Sequence, residues 1–211
     1  QTTVYGQTTV YGQTTVYGEA TVYSQTTVYS QGTLYSQTTY IVRQLQSARQ
    51  RDNEMAAIKL GNMAPAFSLQ DQSGSTVSLK DFKGKANVVL YFYPKAMTPG
   101  CTVQACGLRD SKQSLAKLDA VVLGLSPDPV ARLAKFVEKH DLNFTLLADE
   151  DHAVADKYGV WGLKKFMGRE YMGILRTTFI IDKQGKLAHI MDKVKTKTHH
   201  DDVIEVLKSL S

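Results

Sequence analysis

The sequence predicts an α/β fold with a mixed central sheet flanked by helices, preceded by a low-complexity N-terminal repeat. After residue 64, short apolar runs rich in β-branched and aromatic residues alternate with segments of helical spacing. Residues 1–42 differ in composition and repeat a hexapeptide, and residues 43–54 (RQLQSARQRDNE) are typical of a polar linker. These observations place one folded domain over residues 55–211.

The predicted elements follow one another in a regular order. Two short strands, at residues 66–70 and 76–79, flank the turn sequence DQSG and predict a hairpin. Further strands are predicted from apolar runs at residues 88–93, 120–126, 144–147, 177–181 and 187–191. Helices are predicted from Cys101, from Pro129, over residues 152–158 and from about Asp201.

The chemistry of the chain is expected in residues 88–110, which read VVLYFYPKAMTPGCTVQACGLRD. The apolar run predicts a buried strand, Pro94 ends it, and PG at residues 99–100 marks a turn before a helix that begins near Cys101. The unpaired N–H groups and the positive dipole end of a helix stabilise an anion. A thiol at this position is therefore favoured as the thiolate, which is the nucleophilic form.

Both cysteines of the chain, Cys101 and Cys106, lie in this stretch. They could instead be small buried hydrophobic residues, as free cysteines often are. Their C-x4-C spacing excludes a C-x-x-C redox motif. A zinc site needs roughly four ligands, and the nearest histidine in the sequence is the distant His140, so no metal is expected. The turn, the strand-to-helix junction and Thr98 favour a reactive thiol.

The segment PKAMTPGC at residues 94–101 matches the peroxiredoxin pattern P-x-x-x-T-x-x-C. With TVQACGLRD after it and with residues 143–182, it resembles the bacterioferritin comigratory protein, or PrxQ, subfamily of peroxiredoxins over residues 55–211. This resemblance implies a thioredoxin-like fold. It also implies a thiol-specific peroxidase that reduces hydrogen peroxide and organic hydroperoxides, and that thioredoxin or a similar dithiol reductant recycles.

The resemblance also implies roles for individual residues. Cys101 corresponds to the peroxidatic cysteine, which becomes a sulfenic acid, and Cys106 to the resolving cysteine of a Cys101–Cys106 disulfide. Thr98 and Pro94 occupy the other positions of the motif, and Arg176 in LRTTFIID matches the active-site arginine of the family.

The residues around Arg176 support this match in one respect. Residues 174–181 predict an apolar strand that a single arginine interrupts. A buried arginine is costly without an anionic partner, and a thiolate would be such a partner.

The remaining basic residues and histidines are expected to be solvated. The net charge is +5, but no dense basic stripe predicts a nucleic-acid partner; an acidic protein partner stays open. No nucleotide-binding motif is present, so no cofactor is expected. The residues expected at the surface are Lys164, Lys165 and Arg169 around Trp161, the lysines Lys193, Lys195 and Lys197 on one face of a strand, and His199 and His200 before the last helix.

Residues 1–42 allow two interpretations. The units QTTVYG, EATVYS, QTTVYS, QGTLYS and QTTYIV have an even period, which places alternate side chains on opposite faces of a strand and is typical of aggregation-prone segments. An adhesive, self-assembling segment is one interpretation. The other is translated tandem DNA upstream of a native start at Met55, because the chain begins with Gln and MAAIKLG resembles the N-terminus of the family.

The sequence also leads to expectations about cellular location and oligomeric state. No run approaches the ~20 apolar residues of a membrane span, so we expect no membrane association. Two working thiols favour a reducing compartment, the cytoplasm, and we expect a monomer. Two other functions stay open: a general thiol–disulfide oxidoreductase, and a structural or adhesive protein that acts through the repeat.

Overall fold

The computed structural model describes residues 58–166 and 168–210. The repeat and the linker predicted at residues 1–54 lie outside the described residues, and the domain boundaries therefore stay predictions.

A seven-stranded sheet forms the centre of the domain. In the described part of the chain it has the order β2-β1-β5-β4-β3-β8-β9, and β6 and β7 form a separate hairpin. The strands are β1 (Ser68–Asp71), β2 (Thr76–Ser78), β3 (Asn87–Phe92), β4 (Ala120–Ser126), β5 (Thr145–Ala148), β6 (Trp161–Phe166), β7 (Arg169–Ile174), β8 (Thr178–Ile181) and β9 (Leu187–Met191).

Five α-helices and one short 3-10 helix, Leu79–Phe82, accompany the strands in the described residues. The α-helices are α1 (Pro99–Asp110), α2 (Lys112–Ala116), α3 (Val130–His140), α4 (Ala153–Lys157) and α5 (His199–Ser209). None of these helices is long and apolar enough to cross a membrane.

The pairing of the strands confirms the predicted mixed sheet. β3 runs parallel to β4, and β4 runs parallel to β5. The pairs β1–β2, β1–β5, β3–β8 and β8–β9 are antiparallel. Because β3 lies between β4 and β8, the loop that leaves its carboxyl end emerges near the middle of the sheet.

Alternating side chains of β3 face two apolar layers. Val89 and Tyr91 pack with residues of α1, α3 and α5, while Leu90 and Phe92 pack on the opposite face of the sheet with β8 and Tyr158. Each apolar side chain of this size contributes roughly 1.5–3 kcal/mol when it is fully buried. This burial fixes the position of α1 relative to β3.

The prediction of one strand over residues 174–181 is wrong. β7 ends at Ile174 and β8 begins at Thr178, and the three residues between them belong to neither a helix nor a strand. The backbone changes partner in this connection: the Leu175 N–H donates to the Val160 carbonyl, whereas the Phe92 N–H donates to the Thr177 carbonyl. The chain thus passes here from the β6–β7 hairpin to the central sheet.

The segment after β9 also differs from prediction. The backbone turns, with the Thr198 N–H donating to the Lys195 carbonyl at 3.2 Å, so Lys193, Lys195 and Lys197 share no strand face. The last helix begins at His199, with Thr198 as its N-cap residue. This start is about two residues before the predicted one.

Candidate active site

The reactive stretch is a strand, a six-residue loop and a helix, as predicted. β3 ends at Phe92 and α1 begins at Pro99, with Thr98 as the N-cap residue. Proline is well suited to the first helical position because it needs no hydrogen-bond partner for an N–H. The Thr102 N–H makes the first backbone bond of the helix, to the Thr98 carbonyl at 2.9 Å. Cys101 therefore lies in the first turn, where backbone N–H groups have no partner within the helix.

The loop before the helix is held by the neighbouring βα unit. The Ala96 N–H donates to Asp128 Oδ2 at 2.6 Å, and the Ala96 carbonyl accepts from Arg132 Nη2 at 3.1 Å. Asp128 and Arg132 also form an ion pair, with Oδ1 and Nε 3.1 Å apart. These contacts offset the cost of Met97, whose φ of +63° is a left-handed conformation that costs a non-glycine residue roughly 1–3 kcal/mol.

Arg176 lies against the Cys101 thiol. Its Nη2 donates to Cys101 Sγ at 3.2 Å, and Cys101 is only 1% exposed. The guanidinium reaches this position from the connection between β7 and β8, so its closeness to the helix start is a product of the tertiary fold. A fixed cation and the positive end of α1 both act on one buried sulfur, and each stabilises negative charge there.

Thr98 and Pro94 lie on the loop that leads to Cys101. The Thr98 hydroxyl donates to the Lys95 carbonyl at 2.9 Å rather than capping its own helix. Pro94 is half-buried, two residues after the end of β3. The structure thus brings Cys101, Thr98 and Arg176 together at the start of α1, with Pro94 five positions before its first residue.

The fifth predicted residue, Cys106, lies on the same helix and is half-buried; both thiols are free. Five positions along an α-helix separate two Cα atoms by about 8.6 Å. A disulfide tolerates at most about 7 Å between Cα atoms. Cys101 and Cys106 therefore cannot be joined while α1 is intact.

A second group of polar residues, which the sequence patterns did not predict, lies behind Arg176. Its Nη1 donates to Gln104 Oε1, and Gln104 Nε2 lies 3.1 Å from His199 Nδ1. His199 Nε2 lies 2.8 Å from Thr178 Oγ1. The prediction that His199 is a surface residue is wrong, because it is 0% exposed and faces α1 and β8.

Two signals in the sequence could have revealed this group. Gln104 follows Cys101 by three positions, which places both side chains on one face of a helix. His199 precedes Val203 and Leu207 by four and eight positions, so it continues the buried stripe of α5. A helix predicted to start at Asp201 does not include His199, so this residue was not recognised as part of the buried stripe.

Lys164 is a further cation near the site, and the expectation that it is solvated is wrong. The side chain is half-buried and donates from Nζ to the Ile174 carbonyl at 3.0 Å. Burial lowers the pKa of Lys164, and the neighbouring Arg176 cation lowers it further, whereas Cys101 opposes this shift. The hairpin thus places a second basic side chain close enough to Cys101 to interact with it electrostatically.

Buried aromatic side chains share the apolar layer that contains Cys101. Tyr91 is buried, its ring stacks on Tyr93 with centroids 5.4 Å apart, and its edge contacts Phe144. Burial raises the pKa of Tyr91 well above its usual value, and the negative charges that Tyr93 and Cys101 can carry add to this. The Tyr91 phenol is therefore neutral. Among the described residues, no three His, Cys, Asp or Glu side chains are grouped to hold a metal ion.

Comparison with known proteins places this arrangement in context. The model of the AhpC/TSA family matches residues 60–190. The chain is 57% identical over 156 residues to the putative peroxiredoxin bcp of Haemophilus influenzae, with 74% of this chain and 100% of that protein covered. It is 56% identical over 154 residues to peroxiredoxin Bcp of Escherichia coli, with 73% of this chain and 98% of that protein covered.

Solved structures give the same relation at the level of the fold. Peroxidoxin BcpB from Mycobacterium tuberculosis is 35% identical, with a TM-score of 0.65 over 73% of this chain and 99% of that chain. A structure of the bacterioferritin comigratory protein of Xanthomonas campestris, described for its alkyl peroxide reduction activity, is 31% identical, with a TM-score of 0.65 over 68% of this chain and 91% of that chain.

Proposed function

Because the chain belongs to the AhpC/TSA family and is a peroxiredoxin of the Bcp type, a thiol peroxidase with a thioredoxin-like fold, we propose that Cys101 is its peroxide-reducing residue and Cys106 its resolving residue. The relatives favour neither a general thiol–disulfide oxidoreductase nor an adhesive protein. The observation that carries the assignment is Arg176 Nη2 at 3.2 Å from the buried Cys101 sulfur, at the first turn of a helix.

The first step is a two-electron transfer. The Cys101 thiolate attacks one peroxide oxygen along the O–O axis, the S–O bond forms as the O–O bond breaks, and the second oxygen leaves as an alkoxide or hydroxide. That anion takes up a proton and leaves as an alcohol or water. Negative charge spreads from sulfur over both oxygens in the transition state, and Arg176 and the N–H groups of the first helical turn stabilise it. The sulfur is left as a sulfenic acid.

Thr98 and Pro94 position the peroxide in this proposal. The hydrogen of the Thr98 hydroxyl is engaged by the Lys95 carbonyl, so the hydroxyl oxygen is left to accept a hydrogen bond. A hydroperoxide O–H is the matching donor, and this bond orients the substrate for in-line attack. Pro94 gives the pocket a rigid wall and limits the access of water.

The second step closes the disulfide. The Cys106 thiol attacks the sulfenic sulfur, the S–S bond forms, and the hydroxyl group leaves as water. Because the two Cα atoms are too far apart on an intact helix, α1 must first come apart. A dithiol reductant of the thioredoxin type then reduces the disulfide by thiol–disulfide exchange and releases both thiols.

The substrates are hydrogen peroxide and organic hydroperoxides. The similar Xanthomonas campestris protein is described for its alkyl peroxide reduction activity, which supports organic hydroperoxides as substrates. We place the protein in the cytoplasm, where reduced thiols persist, and assign it as a monomer.

Peroxide consumption with thioredoxin, thioredoxin reductase and NADPH tests the proposal. The wild-type protein is expected to consume hydrogen peroxide and cumene hydroperoxide, and Cys101→Ser to consume neither. Cys106→Ser is expected to form the sulfenic acid once, which dimedone traps, but not to turn over with thioredoxin. Peroxide turnover by Cys101→Ser would disprove the assignment of the nucleophile.

A further inference from the structure

His199 is a fully buried histidine that takes no direct part in the proposed reduction of peroxide. It is the first residue of α5, and its two ring nitrogens face different elements: Nδ1 faces Gln104 of α1, and Nε2 faces Thr178 of β8. Its ring also lies 6.0 Å from that of Tyr91, between centroids. A buried polar ring with both nitrogens engaged has a defined orientation.

The hydrogen bonds behind Arg176 can be oriented from the chemistry of the groups. A guanidinium has only donors, so the Gln104 atom that Arg176 Nη1 contacts must be the amide oxygen. The amide nitrogen then faces His199 Nδ1 at 3.1 Å and has only hydrogens to offer. His199 Nδ1 must therefore accept, which makes it the unprotonated ring nitrogen.

The other ring nitrogen is fixed by the same reasoning. A neutral imidazole with an unprotonated Nδ1 carries its hydrogen on Nε2, which donates to Thr178 Oγ1 at 2.8 Å. The surroundings favour the neutral ring: burial lowers the pKa of His199 to about 4, and the charges of Arg176 and His200 act in the same direction. One directed series of hydrogen bonds thus runs from Arg176 through Gln104 and His199 to Thr178.

We propose that His199 is a positioning residue for the peroxidase reaction, whose unprotonated Nδ1 fixes the Gln104 amide that in turn holds Arg176 against Cys101. Cys101 and Arg176 act on the peroxide in the proposed function, so this inference rests on that proposal. His199 touches neither the sulfur nor the substrate. Its effect is to remove alternative orientations of the amide, and hence of the guanidinium that stabilises the transition state.

Two substitutions of His199 separate this role from simple packing. Asn places its amide oxygen near the position of Nδ1, so His199→Asn keeps the acceptor for Gln104 and loses the bond to Thr178. Gln is closer in size to His but places its polar atoms near the position of Nε2, so His199→Gln keeps a partner for Thr178 and loses the acceptor for Gln104. A purely structural role predicts that the larger Gln is tolerated at least as well as Asn.

The readout is the rate of the first step alone. In a Cys106→Ser background, the second-order rate constant for peroxide with Cys101 is measured by stopped flow, and thermal unfolding is recorded for each variant. We expect His199→Gln to slow the reaction by about ten- to a hundredfold, the range that a misplaced positioning group gives. His199→Asn is expected to stay within about threefold of the parent protein. Equal rates for the two variants, or an unchanged rate in folded His199→Gln, would overturn the proposal.

A coupling measurement tests whether the effect passes through Gln104. Because His199 acts only through that amide, Gln104→Ala combined with His199→Gln should be no slower than Gln104→Ala alone. Additive losses would contradict the proposed series. The proposed function fails separately, if Cys101→Ser retains peroxidase activity, so the two failures are distinguishable.

The wild-type protein offers a test that needs no folded variant of His199. Nitrogen-15 NMR of the histidine rings distinguishes protonated from unprotonated nitrogens. We expect His199 to show an unprotonated Nδ1 and a protonated Nε2 in the reduced protein at pH 7. A protonated Nδ1 would reverse the direction of the hydrogen bonds and overturn the inference.

Discussion

Gly107 of α1 lies directly against the imidazole of His200 at the start of α5. A Cβ at residue 107 would come within 2.6 Å of His200 Nδ1, closer than such atoms approach in proteins, and within 3.2 Å of Cγ, a tight contact. Gly107 immediately follows Cys106, so the helix that would have to open for the proposed disulfide is packed against α5 at this point. A side chain there would act as a wedge between the two helices.

We therefore expect Gly107→Ala to weaken the docking of α1. Overpacking typically costs about 1–3 kcal/mol, and the better helix propensity of alanine returns up to about 1 kcal/mol. The free energy of unfolding in urea should fall by about 1–2 kcal/mol, and the Cys101–Cys106 disulfide should form faster after one equivalent of peroxide. Adding His200→Ala should restore the stability. A more stable Gly107→Ala protein would show that the ring moves aside at no cost.

Arg176 is expected to carry a large part of the first step. Removing one preorganised donor from a developing anion typically costs about 10²–10³ in rate, and Arg176→Ala should lower the rate constant with hydrogen peroxide by that factor. Alkylation of Cys101 by iodoacetamide at pH 7 should also slow. Lys165→Ala is the matched control, because this exposed cation on the neighbouring β6–β7 hairpin pairs with Glu170 at 3.8 Å and does not contact Cys101 in the described part of the chain. Equal losses of rate for both variants would indicate that the overall positive charge near the site matters, rather than the contact between Arg176 and Cys101.

The parts of this site that depend on local sequence were predictable. The apolar run of β3, the PG turn and the residues after Cys101 specify a strand, a loop and a helix within two dozen residues, and the structure has them in that order. The position of Arg176 could not be derived in this way. Its contact with Cys101 spans 75 positions of sequence and depends on the connection between β7 and β8.

The hairpin and the polar residues behind Arg176 were missed for different physical reasons. In the described part of the chain, β6 and β7 pair only with each other. They expose large apolar side chains, including Leu163, which is 63% exposed, so they lack the buried runs that reveal a strand. The environment of His199 depends on an exact helix start, and helix boundaries are weakly specified by sequence. A shift of two residues was enough to make a buried histidine look like a surface one.

The folded domain is expected to be independent of the first 54 residues. A protein that starts at Met55 retains every residue of the site and of both apolar layers. It should unfold cooperatively in urea, with the same peroxidase rate per Cys101 thiol as the full chain. A lower rate, or a broadened transition, would mean that residues 1–54 contribute to the working protein.

Oxidation should release α1 from the domain. Since the Cys101–Cys106 bond cannot form across an intact helix, the amides of residues 101–110 should lose hydrogen-exchange protection in the oxidised protein, and buried Leu108 should become accessible. Val103 is already exposed in the reduced form and gives no such signal. The amides of α4, whose Val154 and Ala155 pack in the opposite apolar layer, should be unaffected and provide the internal control. Retained protection at residues 101–110, with the disulfide verified by mass spectrometry, would contradict this mechanism.

The pH dependence of stability should carry the signature of His199. Burial lowers its pKa to about 4 in the folded protein, whereas a histidine in an unfolded chain has a pKa of about 6.5. Between these two values the unfolded chain binds a proton that the folded protein does not, so stability must fall as the pH falls from 6.5 towards 4. The full effect is roughly 3 kcal/mol at pH 4 and is absent above pH 7.

Urea unfolding of the reduced protein at pH 7.5, 6 and 5 measures this slope. His199→Asn removes the titrating ring, so its free energy of unfolding should change less between pH 7.5 and pH 5 than that of the wild type, by roughly 2 kcal/mol. In the oxidised protein, the unwinding of α1 removes Gln104 from His199. The pH dependence of the free energy of unfolding should then be weaker if His199 becomes exposed. If the free energy of unfolding of reduced His199→Asn changed with pH as much as that of the wild type, the His199 ring would not be held neutral in the folded protein. The low pKa of His199 would then no longer support the direction assigned to the hydrogen bonds behind Arg176.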